Sequence, residues 1–168
     1  MSEAVAAFHS LSDKWVFWAH LPHDTDWTLN SYRTLLKVSN VEEMIAILDC
    51  LPDMLVKNCM MFMMRDGINP LWEDKANTNG GCFSYKINNN NVKQVWDQLC
   101  CMVVGGTIST DKKFIEKITG ITISPKKSFC IIKIWMRDCS EQNVRKIKVI
   151  DNLSSQGCLF KKHLNYDK

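Results

Sequence analysis

The sequence of 168 residues lacks the motifs that mark the commonest catalytic and nucleotide-hydrolysing sites. It contains no G-x-S-x-G turn, no G-x-x-x-x-G-K-[ST] loop and no G-x-G-x-x-G fingerprint. Its longest apolar runs, MMFMM and IIKIWM, are far shorter than the roughly 18 residues of a membrane span. The N-terminus shows no basic stretch followed by a long apolar core, so no secretory signal is predicted. We therefore expect no catalytic residue, no membrane contact and a cytoplasmic protein.

Paired metal-ligand motifs are also missing. None of the eight cysteines forms a C-x-x-C pair, and we expect reduced thiols that pack as small apolar side chains. His20 and His23 form an H-x-x-H spacing, but no cysteine or carboxylate pair of matching spacing accompanies it. The sequence therefore predicts neither a metal nor a cofactor.

The composition is that of an ordinary globular chain, with 46% apolar and 23% charged residues. We found no internal repeat and no linker, so one domain is expected over residues 1–168, with short tails at 1–12 and 165–168. The net charge of +3 permits an anionic ligand without requiring one.

Alternation and helical periodicity predict an α+β protein. The predicted strands cover 14–20, 31–39, 59–68, 82–87, 129–136 and 157–164, and 114–124 reads as a helical or mixed lead into another strand. The predicted helices cover 39–51, with a capping box of Ser39 and Glu42, then 92–105, and 140–150 with Ser140 as the cap. Short connections favour a curved antiparallel sheet of about seven or eight strands, with three helices on its convex face.

The six tryptophans fall into two groups. Four lie in predicted strands or a helix and are expected to pack in the protein. Trp27 and Trp72 lie in polar loops, where each either covers an end of the core or stacks on a ligand. If both stand at one rim of the sheet, they would sandwich a planar ring, and a cationic ring would gain most. Glu73 would then accept hydrogen bonds from the edge of that ring.

Basic side chains could complete such a site. Lys126 and Lys127 lie in a predicted turn, Lys133 lies two residues before Trp135, and a KKH run ends the last predicted strand. Any one of them alone reads as a solvated surface residue, but together they could hold a phosphate chain.

Five segments resemble the messenger-RNA cap-binding translation initiation factor family: KWVFWAH, TDWTLN, RDGINPLWEDKANTNGG, VWDQLCCMVVGG and IIKIWMRDCSE. They occur in the family's order over roughly residues 9–145. The resemblance implies a sheet shaped like a cupped hand, backed by three helices, that binds 7-methylguanosine in its concave face.

The resemblance also implies roles for single residues. Trp27 and Trp72 would sandwich the methylated base, Glu73 would accept hydrogen bonds from N1 and N2, and Trp135 would lie against the 7-methyl group. The candidates for phosphate binding are Lys126, Lys127, Lys133 and Lys162. Ile131 and Cys82 stand where the family usually has basic residues, so phosphate binding is expected to be weaker or rearranged.

On the helical face, the family binds a scaffold initiation factor or inhibitor proteins through a helical peptide. The matching positions in this chain are His9, Leu11, Val41, Ile45 and Leu48. Ile45 replaces a tryptophan that is central in many members, and Gln98 replaces an acid, so Ile45 is either a partner contact or simply core.

The sequence thus predicts a binding module for capped messenger RNA that recruits messages for translation. Two other interpretations remain open. An enzyme acting on capped nucleotides would need clustered acidic metal ligands, and none is visible. An interaction protein or translational repressor would keep the fold with weakened phosphate recognition.

Overall fold

The structure is a computed structural model and describes residues 7–164. Within that range seven strands form one sheet, and every neighbouring pair is antiparallel, in the order β2-β1-β3-β5-β6-β4-β7. The strands are β1 (Ser10–His20), β2 (Tyr32–Asn40), β3 (Met60–Arg65), β4 (Gly81–Asn88), β5 (Ile118–Pro125), β6 (Phe129–Met136) and β7 (Leu159–Lys162). The helices are α1 (Val41–Cys50), α2 (Asp53–Asn58), α3 (Val92–Val104) and α4 (Lys112–Lys117). The predicted curved antiparallel sheet is confirmed.

Side-chain alternation along the strands separates two apolar clusters. The larger cluster lies between the sheet and the helices, and it includes Trp15, Phe17 and, from α3, Trp96. Residues of opposite parity form a smaller cluster on the other face, around Phe62 and Trp135. Because successive side chains of a strand point to opposite faces, one face of the sheet is covered by helices and the other is left as an open concave surface.

The helices differ in detail from the sequence prediction. The capping box of Ser39 and Glu42 is wrong by one residue, because the Asn40 side chain caps α1 by accepting from the backbone N–H of Glu43 at 2.8 Å. The Glu43 carboxylate reaches back to the backbone N–H of Ser39 at 2.7 Å. The short helix α2 was not predicted, whereas the mixed reading of 114–124 is confirmed by α4 leading into β5.

The predicted helix at 140–150 is wrong. The segment contains only a 3-10 turn at Val144–Lys146, and Ser140 does not cap it. Instead, the Asp138 carboxylate accepts the backbone N–H of Ser140, and the Asn143 side chain accepts that of Arg145. Such local bonds offer the backbone an alternative to the helical ladder.

Two further predictions concern the terminal tails and the membrane. β1 already begins at Ser10, so part of the predicted tail at 1–12 belongs to the sheet, while 1–6 and 165–168 lie outside the described residues. Between residues 7 and 164, no helix is long and apolar enough to cross a bilayer.

Candidate functional site

A cavity of about 420 Å³ opens on the face of the sheet that the helices leave uncovered. Six residues predicted from the sequence line it together: Trp27, Trp72, Glu73, Trp135, Lys133 and Lys162. Its other lining residues are Tyr32, Met60, Phe62, Pro70, Leu71, Cys82, Lys161 and His163. The two loop tryptophans, 45 positions apart in the sequence, therefore meet at one site.

Trp27 stands in the loop between β1 and β2 and is 56% exposed. Its indole stacks on the ring of His20, with centroids 4.2 Å apart and planes within 1° of parallel. The loop is held by its own carboxylates, since Asp24 accepts the backbone N–H of Asp26, and Asp26 accepts that of Thr28. An exposed aromatic in a fixed loop is available to a ligand.

The loop between β3 and β4 presents Trp72 and Glu73, both exposed. Asn77 is fully buried beneath it and donates from Nδ2 to the backbone oxygens of Leu71, at 2.8 Å, and Asn69, at 3.3 Å. The Asp74 carboxylate accepts the backbone N–H of Asn69 at 3.0 Å. The loop is thus anchored from within by polar side chains, which leaves Trp72 and Glu73 free to face the cavity.

Trp135, on β6, is only 8% exposed and lies on the cavity wall. Its Nε1 donates to the hydroxyl of Thr122 at 3.2 Å. The ring of His163 lies against it, with centroids 4.8 Å apart and planes tilted by 57°. His163 is in turn bonded through Nδ1 to the backbone oxygen of Asn77 at 2.7 Å. Two neighbours therefore fix the orientation of the Trp135 indole.

The cavity carries opposite charges on its two sides. On the side of β2, burial raises the pKa of Tyr32, and the negative charges of Glu73 and Asp26 raise it further. On the side of β4, burial raises the pKa of Cys82, while the positive charges of Lys133 and Lys161 oppose that shift. A ligand with a cationic part and an anionic part matches this distribution.

The register of the sheet explains how the basic side is assembled. Cys82 pairs with Trp135 of β6 on one side and with Lys161 of β7 on the other, so all three share the open face. Lys133 lies two residues before Trp135 on the same face. β7 thus supplies cations next to Cys82, the position at which the resemblance leads one to expect a basic residue.

Two of the predicted phosphate ligands are not brought to the cavity. Lys126 and Lys127 are exposed in the turn that follows β5, and neither lines the cavity. Among the lining residues, Tyr32 was not predicted as a member of the site, whereas Lys161 lies in the KKH run that the sequence singled out. The face of the sheet on which Lys161 lies becomes known only from the pairing of β7 with β4.

On the helical face, the residues predicted to bind a partner differ in how exposed their side chains are. Val41 and Ile45 are 39% and 50% exposed on α1, and Leu11 is partly buried against the core. Leu48 is only 5% exposed because it points into the core, so it is not part of the accessible surface. His9 is exposed and its Nδ1 lies 2.6 Å from the Glu42 carboxylate.

The H-x-x-H spacing does not form a metal site. The ring of His20 is committed to the backbone oxygen of Asp26 at 2.8 Å, and His23 is exposed at the turn, with a positive φ of 69°. Within residues 7–164, no group of three histidine, cysteine, aspartate or glutamate side chains is placed to hold an ion. All eight cysteines are free thiols.

Partial burial of His163 predicts that stability depends on pH. Burial lowers the pKa of His163 below its usual 6.5, and the positive charge of Lys133 adds to this, whereas the bond to Asn77 opposes it. As pH falls through about 6.5, the unfolded chain takes up this proton before the folded protein does, so stability should decrease.

We expect the free energy of unfolding in urea to be lower at pH 5 than at pH 7.5, and His163→Gln to reduce that difference. His23→Asn is the control, and an unchanged pH dependence in His163→Gln would contradict the assignment.

Comparison with known proteins identifies the family. A sequence model described as eukaryotic initiation factor 4E matches residues 10–167. Eukaryotic translation initiation factor 4E of Candida albicans is 25% identical in an alignment of 155 residues that covers 86% of this chain and 72% of that protein. The same factor of Eremothecium gossypii is 28% identical in an alignment of 145 residues that covers 83% of this chain and 67% of that protein. The chain also shares its fold with a C. elegans eIF4E-3 solved with the 4E-binding protein Mextli and a cap analog. That structure has a TM-score of 0.73 and 18% identity, over 83% of this chain and 80% of that one. Because this model matches residues 10–167, a range that includes all seven strands, this chain belongs to the eukaryotic initiation factor 4E family.

Proposed function

We propose that this protein binds the 7-methylguanosine 5′ cap of messenger RNA in the concave cavity and acts in the cytoplasm as a non-catalytic translation factor. The observation that carries the proposal is the meeting of Trp27, Trp72 and Glu73 at one cavity, next to cationic side chains. Methylation at N7 makes the base a flat cation, and the cap continues into an anionic triphosphate. The charge distribution of the cavity suits that combination.

The base would lie between the indoles of Trp27 and Trp72. Stacking of a base on an aromatic side chain contributes about 1–3 kcal/mol. A cation over an indole adds about 0.5–2 kcal/mol, and more when it is desolvated. Glu73 would accept the N1 and N2 protons of the guanine, and Trp135 would contact the methyl group. Both indoles are exposed enough to receive a ligand, which supports this arrangement.

The phosphates would be held by Lys133 and Lys162, with Lys161 beside them. Lys126 and Lys127 lie outside the cavity and would at most approach nucleotides further along the RNA. This division predicts that Lys133→Ala and Lys162→Ala each weaken binding of 7-methyl-GTP by about tenfold, because each removes a charge-assisted contact. Neither change should alter the affinity for 7-methylguanosine, the nucleoside that carries no phosphate.

Titration of both ligands by calorimetry at one salt concentration checks this division. Lys127→Ala is the control, since this lysine is exposed and does not line the cavity. If Lys127→Ala weakened 7-methyl-GTP binding more than Lys133→Ala, the phosphates would run toward the turn between β5 and β6 instead.

We also propose that a helical peptide of a scaffold initiation factor or an inhibitor binds the exposed residues Val41 and Ile45 of α1. A related structure supports a partner of this kind. The Schistosome initiation factor 4E was solved with m7GpppG and 4E-BP, and its fold matches this chain with a TM-score of 0.72 and 20% identity, over 80% of this chain and 75% of that one.

Retention on immobilised 7-methyl-GTP tests the proposed function. The protein should be retained, eluted by free 7-methyl-GTP and not eluted by the same concentration of GTP. Incubation with capped RNA should release no 7-methyl-GMP or 7-methyl-GDP. Release of either product would favour the enzyme, and lack of retention would leave an interaction protein that has the fold without the ligand.

A further inference from the structure

His20 is the last residue of β1 and lies directly beneath Trp27. Its backbone is fixed on both sides, because it pairs with Tyr32 of β2 and with Met60 of β3. Its side chain is only 2% exposed. The ring therefore belongs to the rigid sheet, although the indole that it contacts belongs to an exposed loop.

Three contacts hold the imidazole ring. Trp27 stacks on it at 4.2 Å, and Tyr32 meets it edge-on with centroids 5.0 Å apart and planes at 63°. Nε2 lies 2.8 Å from the backbone oxygen of Asp26. A carbonyl oxygen can only accept, so Nε2 carries the proton and donates it. The His20 side chain thus contacts both the Trp27 indole and the backbone of Asp26, the residue before it.

We propose that His20 is a positioning residue that holds Trp27 in the orientation needed to stack on the ligand. This inference rests on the proposed function. His20 covers one face of the indole, and Trp27 lines the cavity while remaining 56% exposed, so the other face is the one offered to the base. An indole fixed before binding loses less rotational freedom when the ligand arrives, and the affinity rises accordingly.

At this position a histidine both stacks on Trp27 and donates a hydrogen bond to the backbone oxygen of Asp26. Phenylalanine would keep a ring under Trp27 and lose the bond to Asp26, whereas alanine would lose both. We therefore expect His20→Ala to weaken 7-methyl-GTP binding about tenfold, and His20→Phe to restore most of that loss, to within about threefold of the wild type.

A double-mutant cycle shows whether His20 acts through Trp27. Affinities for 7-methyl-GTP would be measured for wild type, His20→Ala, Trp27→Leu and the double variant. Leucine retains an apolar contact, so residual binding stays measurable. If His20 acts through Trp27, His20→Ala should cost about tenfold in the wild type and less than twofold in the Trp27→Leu background.

His23→Asn is the control, because this histidine lies in the same loop, is exposed and has the positive φ that asparagine tolerates. It should leave the affinity unchanged. Urea unfolding of each variant separates positioning from folding, and His20→Phe keeps the test informative if His20→Ala unfolds. Equal losses in both backgrounds, or no recovery in a folded His20→Phe variant, would overturn the inference and leave the proposed function intact. Failure of the wild type to bind 7-methyl-GTP would overturn both.

Discussion

Replacing Glu73 with alanine is expected to weaken binding of 7-methyl-GTP about 100-fold without changing the stability of the fold. The carboxylate would accept two hydrogen bonds from the base, and bonds to a charged group contribute about 1.5–3 kcal/mol each. Losing both removes about 3 kcal/mol of binding free energy. Glu73 is exposed in the loop between β3 and β4, so its removal leaves no cavity in the core.

Calorimetric titration with 7-methyl-GTP measures this change, and urea unfolding checks the fold. Glu73→Gln is the sharper variant, because it keeps the shape of the side chain and removes its charge. Glu116→Ala, at another exposed glutamate, is the control. If Glu73→Ala bound the ligand as tightly as Glu116→Ala does, Glu73 would have no place in the site.

The second large effect is expected at Trp72. Trp72→Ala would remove one indole of the proposed sandwich, and with it the stacking and the contact with the cationic base. These contributions together amount to roughly 2–4 kcal/mol, so the affinity should fall by about 100-fold. Trp72→Phe should lose much less, because a smaller aromatic ring still stacks.

Equilibrium titration of both variants with 7-methyl-GTP gives the comparison. Val149→Ala is the control, since Val149 is a 93% exposed apolar residue outside the cavity. We expect the affinity to decrease in the order wild type, Trp72→Phe, Trp72→Ala. Equal affinities of Trp72→Phe and Trp72→Ala would show that no ring stacks at this position.

Much of the sheet could be predicted from the sequence, because most of its strands are apolar runs rich in β-branched and aromatic residues. Phe17 and Trp18 differ in parity, and the structure places them in different clusters on opposite faces. The loop tryptophans were also recognisable, because a large aromatic among Asp, Asn and Thr has no obvious place in a core. What the sequence left open was whether Trp27 and Trp72 share a site, and that depends on pairings between distant strands.

The differences between the sequence predictions and the structure have separate physical causes. Local side-chain bonds at Asp138 and Asn143 replaced the helix that periodicity predicted at 140–150. The phosphate-binding role of Lys126 and Lys127 stays a prediction, and the turn after β5 keeps both lysines outside the cavity. The contact of His20 with Trp27 was not predicted, because stacking between a strand residue and a loop indole leaves no trace in the spacing of residues. Tertiary contacts of this kind become visible only in the folded chain.

The most direct measurement is a paired fluorescence titration of the wild-type protein with 7-methyl-GTP and with GTP. The two ligands differ only in the methyl group and the positive charge that it places on the base. We expect quenching of tryptophan emission and about 100-fold tighter binding of 7-methyl-GTP than of GTP, because both indoles and Glu73 would favour the cation. Equal affinity for the two nucleotides, or no change in emission with either, would contradict the claim that Trp27 and Trp72 enclose a methylated base.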